Sequence, residues 1–436
     1  MIVTKFGGSS VADSTQFKKI KAIIEANPAR RVVVVSAPGK RYSSDTKVTD
    51  YLYTLGSHLK YGVPDDRLWN AVVERYKEIK ESLNLTIDIE AELAAFSGMF
   101  GKDIDQNCLV SRGEYFCARL MSDYLGFTFV DAADIMCFSY DGTLDIAESE
   151  KRVIAAFEKY GSIVVPGFYG AYPNGDINLF SRGGSDITGS YLARFLGASI
   201  YENWTDISGI RSADPRLAEN PKAISRITYE ELRELSYMGA SVLHEDSILP
   251  VQECGIAINL LNTNEPDHPG TIITQDAGDG TPITGIAGKK GYMSFVVRKK
   301  HMSGEVGFYR KVLSVFERFN ISIEHTPTGM DMFGITVSEE QVAKHTHNII
   351  AEIENTLGAT VTIERDISLI AVVGRNMVGH YGICAAIFKI LCENQINVKM
   401  ITQSPDELNI IVGIDGTNHA KAIRALYDGL CKEALL

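Results

Sequence analysis

The chain lacks a basic surplus. Forty-three lysines and arginines face 55 aspartates and glutamates, for a formal charge of -12. Nucleic-acid binders normally carry a basic footprint, so that class is set aside. No basic-then-apolar segment opens the sequence, so no secretory leader is expected. The longest apolar run, around Val32–Val35, is far too short to span a bilayer. No Cys-x-x-Cys occurs among the seven cysteines (108, 117, 137, 254, 384, 392 and 431). Their odd count and loose spacing read as reduced thiols of a cytoplasmic protein and give no metal signature. His345 and His347 have no partner at a recognisable ligand spacing and read as ordinary surface histidines. There is no Gly-x-Gly-x-x-Gly dinucleotide fingerprint.

What is present is a chain of 436 residues, 45% hydrophobic, enough for two or three cored domains. Up to about residue 280, strand-like and helix-like segments alternate. Ile2–Thr4, Arg31–Ser36, Ser162–Gly167 and Ser199–Tyr201 read as strands. Asp13–Glu25, Glu114–Leu125 and Tyr191–Leu196 read as helices. The alternation predicts an α/β domain, a largely parallel sheet covered by helices on both faces. Arg67–Leu83 and Ile89–Phe100 read as amphipathic helices with no strand between them, a helical insertion over about 55–105. Turn-rich polar runs, Asn262–Gly270 and Asp276–Pro282, follow as a linker.

Beyond the linker the sequence repeats itself. Val306-Gly307-Phe308, Phe316 and Asn320-Ile321-Ser322-Ile323 recur as Tyr381-Gly382-Ile383, Leu391 and Gln395-Ile396-Asn397-Val398, each 75 positions downstream. Strands at Met332–Val337 and Leu408–Ile414 and helices at Thr346–Leu357 and His419–Leu430 complete the copies. A fixed offset marks a duplicated unit. The β-α-β-β-α order is that of a ferredoxin-like module. The expected boundaries are 1–280, 281–366 and 367–436.

Four segments carry candidate chemistry. In Lys5-Phe6-Gly7-Gly8-Ser9-Ser10-Val11 a strand ends, two glycines turn the chain, and serines stand where a helix would be N-capped. Free helix-start amides and a positive dipole end suit a phosphate, and Lys5 adds a full charge. The lysine precedes the glycines, so this is not the Walker pattern; a Gly-rich turn with a solvated lysine fits the same residues. Ser111-Arg112-Gly113-Glu114 reads as a helix start, where acidic residues are favoured by the dipole. Phe180-Ser181-Arg182-Gly183-Gly184-Ser185-Asp186 is a second glycine turn leading into a helix, Ile187–Phe195. An arginine there can grip a carboxylate bidentately. Trp204-Thr205-Asp206-Ile207-Ser208-Gly209-Ile210-Arg211-Ser212-Ala213-Asp214-Pro215-Arg216 follows a strand, where open α/β sheets bind ligands.

These four runs, in this order, closely resemble the signatures of aspartokinases: Lys-Phe-Gly-Gly-Thr/Ser-Ser-Val, Ser-Arg-Gly-Glu, Ser-Arg-Gly-Gly-Ser-Asp and Trp-Thr-Asp-x-x-Gly-x-x-x-x-Asp-Pro-Arg. The repeated unit resembles tandem ACT domains. The resemblance spans nearly the whole chain and is to the monofunctional type, since the repeats end close to Leu436. It implies an amino-acid-kinase-type three-layer fold with a parallel-rich sheet, followed by two ACT modules. It implies ATP-dependent phosphorylation of the L-aspartate side chain, with Mg²⁺, on the route to lysine, threonine and methionine. By resemblance Lys5, Gly7, Gly8 and Asp186 organise phosphoryl transfer. Ser36, Thr49, Glu114, Arg182 and Ser185 contact aspartate, Glu114 at its ammonium and Arg182 at its α-carboxylate. Lys5, Gly7, Gly8, Ser9, Thr205, Asp206, Arg211, Asp214 and Arg216 contact ATP. Met302, Glu305, Gly307, Phe308, Ser322, Ile323, Glu324 and Thr328 line an amino-acid effector site at an ACT–ACT interface. Lysine is the first expected effector, because Glu324 offers a carboxylate to a cationic side chain, and threonine the second. A homo-oligomer, dimer or tetramer, is expected through the ACT modules. The sequence departs from the family at Ser241, where many aspartokinases carry a lysine facing the ATP phosphates. A catalytically weak amino-acid sensor of the same fold and another amino-acid kinase, such as a glutamate 5-kinase, are the alternative readings.

Overall fold

The computed structural model describes the chain from Met1 to Leu436 except residues 64, 102, 182, 241, 242, 244 and 279 and the side chain of Glu245. Two compact units are present. One comprises Met1–Ile210, Ile224–Tyr229 and Val242–Ala277, the other Arg211–Ala223, Glu230–Ser241 and Gly278–Leu436.

The first unit is built on eight strands: β1 (Ile2–Phe6), β2 (Arg30–Val35), β3 (Thr128–Phe129), β4 (Ile163–Pro166), β5 (Ile200–Thr205), β6 (Arg226–Thr228), β7 (Ile258–Asn262) and β8 (Thr271–Thr274). Their order in the sheet is β6-β8-β7-β5-β1-β2-β4-β3. All neighbours are parallel except β7 and β8. The expected parallel-rich sheet is therefore observed. Its central strands are short runs of Val and Ile, buried on both faces, as a sheet between helical layers requires. The longer helices are α1 (Ser14–Glu25), α2 (Val48–Lys60), α3 (Asp66–Leu83), α4 (Ile89–Ser97), α5 (Gln106–Leu125), α6 (Ile146–Tyr160) and α7 (Gly184–Phe195). From Val48 to Leu125, α2 through α5 follow one another with no strand between among the described residues, sharing a core of Leu52, Trp69, Tyr76, Phe96 and Phe116.

Two helix starts differ from expectation. Ser9 and Ser10 do not cap a helix. Gly8–Val11 form a short 3-10 turn, and Asp13 caps α1 by accepting from the Gln16 amide. A carboxylate at N-cap satisfies an orphan donor as well as a serine would. Ser111–Glu114 are not at a helix start either. Asp105 caps α5 by accepting from the Cys108 amide, so the Ser-Arg-Gly-Glu run lies in the second and third turns.

The second unit holds five antiparallel strands: β9 (Gly285–Arg298), β10 (Met332–Ser338), β11 (Thr360–Val373), β12 (Val398–Gln403) and β13 (Asn409–Asp415), in the order β10-β9-β11-β13-β12. Its helices are α8 (Tyr229–Tyr237, from Glu230 onward), α9 (Phe308–Arg318), α10 (Thr346–Leu357), α11 (Ile383–Glu393) and α12 (His419–Lys432). The two copies share one sheet. The 14-residue strands β9 and β11 each serve both: Gly285–Lys289 pairs with Leu369–Val373, and after a register shift Tyr292–Arg298 pairs with Thr360–Ile367 and with β10. Two cores result, one around Phe295, Phe308 and Phe316, the other around Ile387, Leu391 and Leu426. In each copy the run after the first helix, Asn320–Ile323 or Gln395–Val398, reads as a strand; in the second copy β12 begins only at Val398, the last residue of that run. In the first, Asn320–Ile323 does not form one; only the isolated bridges His325–Thr336 and Thr328–Phe333 tie the segment to β10. Pro327 has no amide to donate to a ladder.

Candidate active site

The carboxyl ends of β1, β2, β4 and β5 carry the candidate residues of the first unit. Lys5 is the penultimate residue of β1, level with Asn203 on the neighbouring β5, so their side chains leave the sheet on the same face. Both meet Asp186, in the first turn of α7. Lys5 Nζ lies 2.5 Å from Asp186 Oδ1, and Asn203 Nδ2 donates to the same oxygen at 2.6 Å. The Tyr201 hydroxyl donates to the Asp186 carbonyl at 3.2 Å. Lys5 is almost fully buried, so the solvated-lysine alternative is not what is observed. An ammonium taken out of water needs a paired carboxylate and further polar contacts, and the triad supplies them. A Cβ added to Gly7 would sit 3.5 Å from Lys5 Nζ, which places the charge at the glycine turn. Asn203 was not among the sequence candidates. The available signal was Glu202-Asn203, two consecutive polar residues inside a strand flanked by Tyr201 and Trp204, all buried.

The glycine turn is held by close backbone packing. The Gly7 amide donates to the Trp204 carbonyl at 2.9 Å and the Gly39 amide to the Gly8 carbonyl at 2.8 Å. A side chain on Gly39 would come within 2.6 Å of the Gly8 carbonyl carbon, so only glycine fits there. From the insertion, Arg75 donates to the Gly39 carbonyl at 2.8 Å and pairs with Asp45 at 2.7 Å, both side chains buried. Arg41 adds a hydrogen bond to Asp45, and although burial works against ionisation, its arginine partners hold that carboxyl well below the usual range. The insertion thus fixes the loop that fixes the glycine turn.

Glu114 is buried and its Oε2 has no hydrogen-bond partner among the described residues. Burial raises its carboxyl from 4.5 to about 8, opposed by a hydrogen bond from the Ala37 backbone. Gly113 permits this approach: a Cβ there would lie 2.8 Å from Ala37 Cβ. The Tyr76 hydroxyl donates to the Gly113 carbonyl at 2.6 Å. A buried carboxyl with one oxygen unsatisfied among the described residues is chemically incomplete, and a ligand ammonium would complete it. Ser36 follows β2, its amide donating to the Phe6 carbonyl at 3.1 Å, and Thr49 stands in the first turn of α2, next to Val48, whose amide reaches the Pro38 carbonyl at 3.1 Å. Ser185 is buried against Gly167, where a Cβ would meet Ser185 Cβ at 2.6 Å. Ser9 lies in the 3-10 turn. Arg182 and Ser241 lie outside the described residues.

Thr205 ends β5 and donates to Asp206 at 3.1 Å; both belong to the first unit. Arg211, Asp214 and Arg216 belong to the second, where Arg216 pairs with Asp214 at 2.7 Å. Among the described residues no three His, Cys, Asp or Glu side chains converge on a metal position.

Of the effector candidates, Met302 and Phe308 are buried in the core of the first copy. Gly307 caps α9 with φ 80°, and Glu305 pairs with Lys299 at 2.6 Å and Lys311 at 3.0 Å, which lower its carboxyl. Ser322 and Thr328 are exposed and Ile323 packs at the core margin. Glu324 accepts a hydrogen bond from the Tyr237 hydroxyl.

Residues 1–262 match the model of the amino acid kinase family, and residues 370–430 match an ACT domain model. The chain is 37% identical to aspartokinase 3 of Bacillus subtilis, over 98% of each chain. The crystal structure of Clostridium acetobutylicum aspartate kinase, described as an allosteric enzyme, superposes with a TM-score of 0.93 at 42% identity, covering 98% of this chain and all of that one. Escherichia coli aspartokinase III, solved with aspartate and ADP, shares the fold at a TM-score of 0.78 and 23% identity, covering 99% of this chain and all of that one. No described helix is long and apolar enough to cross a membrane. The sheet order, the Lys5–Asp186 centre at the glycine turn and the likeness over the full chain together show that this chain belongs to the amino acid kinase family, among the aspartokinases that carry ACT domains.

Proposed function

We propose that the chain transfers the γ-phosphoryl group of ATP to the β-carboxylate of L-aspartate, giving ADP and 4-phospho-L-aspartate. The observation that carries this reading is the pairing of opposite needs on one sheet edge. Lys5 is a buried cation at a glycine turn, suited to phosphoryl oxygens, and Glu114 is a buried carboxyl whose Oε2 has no hydrogen-bond partner among the described residues, suited to an α-ammonium. The acceptor carboxylate is already nucleophilic, so no general base is needed; positioning and charge neutralisation do the work. Lys5 and the amides of Gly7, Gly8 and Ser9 take the phosphates, with Thr205 and Asp206 as further nucleotide contacts. Asp186 holds Lys5 in place. Glu114 and Arg182 take the two ends of the amino-acid group, with Ser36, Thr49 and Ser185 around it.

Mg²⁺ suits this donor set as a companion of the nucleotide. It is commonly held by one or two carboxylates plus substrate phosphates, and Asp186 and Asp206 are the carboxylates that would be available to it. Bound there, it would neutralise phosphate charge. We assign the enzyme to the cytoplasm and to a homo-oligomer joined through its ACT modules. The first copy, through Glu324, Glu305 and the Met302–Phe308 loop, is assigned to an amino-acid effector, lysine before threonine.

The test is an ADP-release assay with aspartate, glutamate and N-acetylglutamate in parallel. Aspartate-dependent turnover alone supports the reading. Turnover with glutamate or N-acetylglutamate instead moves the chain to another kinase of the family. Lysine or threonine binding without turnover favours the sensor reading, which rests on Ser241.

A further inference from the structure

Strand β5 carries two buried polar residues side by side, Glu202 and Asn203. Successive side chains leave a strand on opposite faces, so the two serve different neighbours. Glu202 pairs with the Arg30 guanidinium at 2.8 Å and accepts from the Trp204 indole at 2.9 Å, which ties β2 to β5. Asn203 leaves the other face, toward α7. It gives its amide to Asp186 Oδ1 at 2.6 Å, the same oxygen that Lys5 Nζ meets at 2.5 Å. A carboxylate only accepts, which sets the Asn203 amide nitrogen toward it. Two donors thus converge on one oxygen, one charged and one neutral.

The two donors differ in freedom. Lys5 carries its ammonium on a flexible four-carbon stem with three N–H groups, at the edge of the glycine turn. Asn203 has a short side chain, is 1% exposed, and sits on a strand held between β1 and β7. During phosphoryl transfer the charge that calls for Lys5 lies on the phosphoryl oxygens. An ammonium drawn toward them loosens its hold on Asp186. A largely buried carboxylate that loses its cation is costly unless other donors satisfy it. Asn203 is such a donor, and it does not have to move.

We propose that Asn203 is a positioning residue for phosphoryl transfer: its amide keeps the Asp186 carboxylate satisfied and in place while Lys5 turns its charge to the phosphoryl group. This rests on the reading of Lys5 as the phosphoryl-side cation. Asn203 itself touches neither phosphate nor aspartate in this account, and it acts through Asp186 and Lys5. Its loss therefore falls on the chemical step and leaves substrate binding intact.

Asn203→Leu keeps the approximate size and removes the donor. Aspartate-dependent ADP release should show kcat lower by about 10- to 100-fold, as loss of one hydrogen bond to a charged group implies, with KM for ATP and for aspartate within about 2-fold. The calorimetric Kd for ADP should also stay within about 2-fold. Asn203→Asp has the shape of the native residue but adds an acceptor that competes for Lys5, so its kcat should be lower than that of Asn203→Leu. Asn203→Ser, a shorter donor that is easily accommodated, should lie between Asn203→Leu and the wild type, and it carries the test if the leucine variant does not fold. In a Lys5→Ala background Asn203→Leu should change kcat by less than about 2-fold, because residues that act as a unit are not additive. The same fold-loss with and without Lys5 would show a packing role and overturn the proposal. So would a kcat within 2-fold of wild type in Asn203→Leu, or a loss confined to KM, and either would leave the reaction itself standing. If the wild type releases no ADP with aspartate, the proposed function fails and this role with it.

Discussion

Replacing Glu114 by glutamine should make the empty protein more stable and a poorer enzyme, with an effect on stability that grows with pH. Burial is the cause. The carboxyl titrates near 8 in the folded chain against 4.5 as its ordinary value. The folded state therefore favours the protonated form. The stability contributed by the neutral carboxyl is complete below 4.5, and it is lost as pH rises toward 8, while the unfolded chain ionises freely. The rise from 4.5 to about 8 sets a ceiling of about 5 kcal/mol, approached as pH passes 8, at roughly 1.4 kcal/mol per pH unit. The titrating neighbours that sense the same site are Tyr53, Tyr76, Cys117 and Tyr169, all raised chiefly by their own burial, so none offers a cation in compensation. Thermal unfolding of wild type and Glu114→Gln between pH 5 and 8.5 measures the difference. The melting temperatures should converge near pH 5 and separate by several degrees at pH 8, the variant being higher. Its KM for aspartate should rise by 10-fold or more while KM for ATP stays within about 2-fold, as loss of one charged hydrogen bond implies. Parallel melting curves across the whole range would show that Glu114 ionises at no cost, and the argument from its burial would fail.

Lys5→Ala should lower kcat by about 10²- to 10³-fold, comparable to removing one transition-state donor, with a near-normal circular dichroism spectrum; kcat close to wild type would remove Lys5 from the chemistry. Arg182→Ala should raise KM for aspartate far more than for ATP, and equal increases would assign that arginine to the nucleotide. Arg75→Leu leaves the buried Asp45 carboxylate with Arg41 as its remaining arginine partner and frees the Gly39 carbonyl, so denaturant unfolding should show a loss of about 1.5–3 kcal/mol; a loss under about 1 kcal/mol would mean that the insertion does not brace the glycine loop.

Local chemistry was legible in the sequence, and long-range pairing was not. The Lys5–Val11 turn, the buried valine strand at Val32–Val35 and the repeat at an offset of 75 rest on neighbouring residues, and all appear in the structure as strand ends, glycine turns and paired modules. The caps at Asp13 and Asp105 were missed because Ser9, Ser10 and Ser111 are equally good cap residues, and only the hydrogen bonds decide between them. Asn203 reaches Asp186, the partner of Lys5, from a strand far along the chain, so no local pattern announces it. The shared strands β9 and β11 depend on register between segments about 75 residues apart, and hydrophobic alternation does not reveal partners. Resemblance named Met302 and Phe308 as effector contacts; their side chains fill the core, which leaves the exposed backbone around Gly307 as what that loop can offer.

The central claim is that the acceptor is the side-chain carboxylate of aspartate. An acyl phosphate reacts with hydroxylamine, so the product can be trapped as it forms and identified by mass spectrometry. With ATP, Mg²⁺ and aspartate, the enzyme should accumulate the β-hydroxamate of aspartate in step with ADP, and Lys5→Ala should form it at least 100-fold more slowly. ADP release without hydroxamate, or a hydroxamate at the α-carboxyl, would contradict the account.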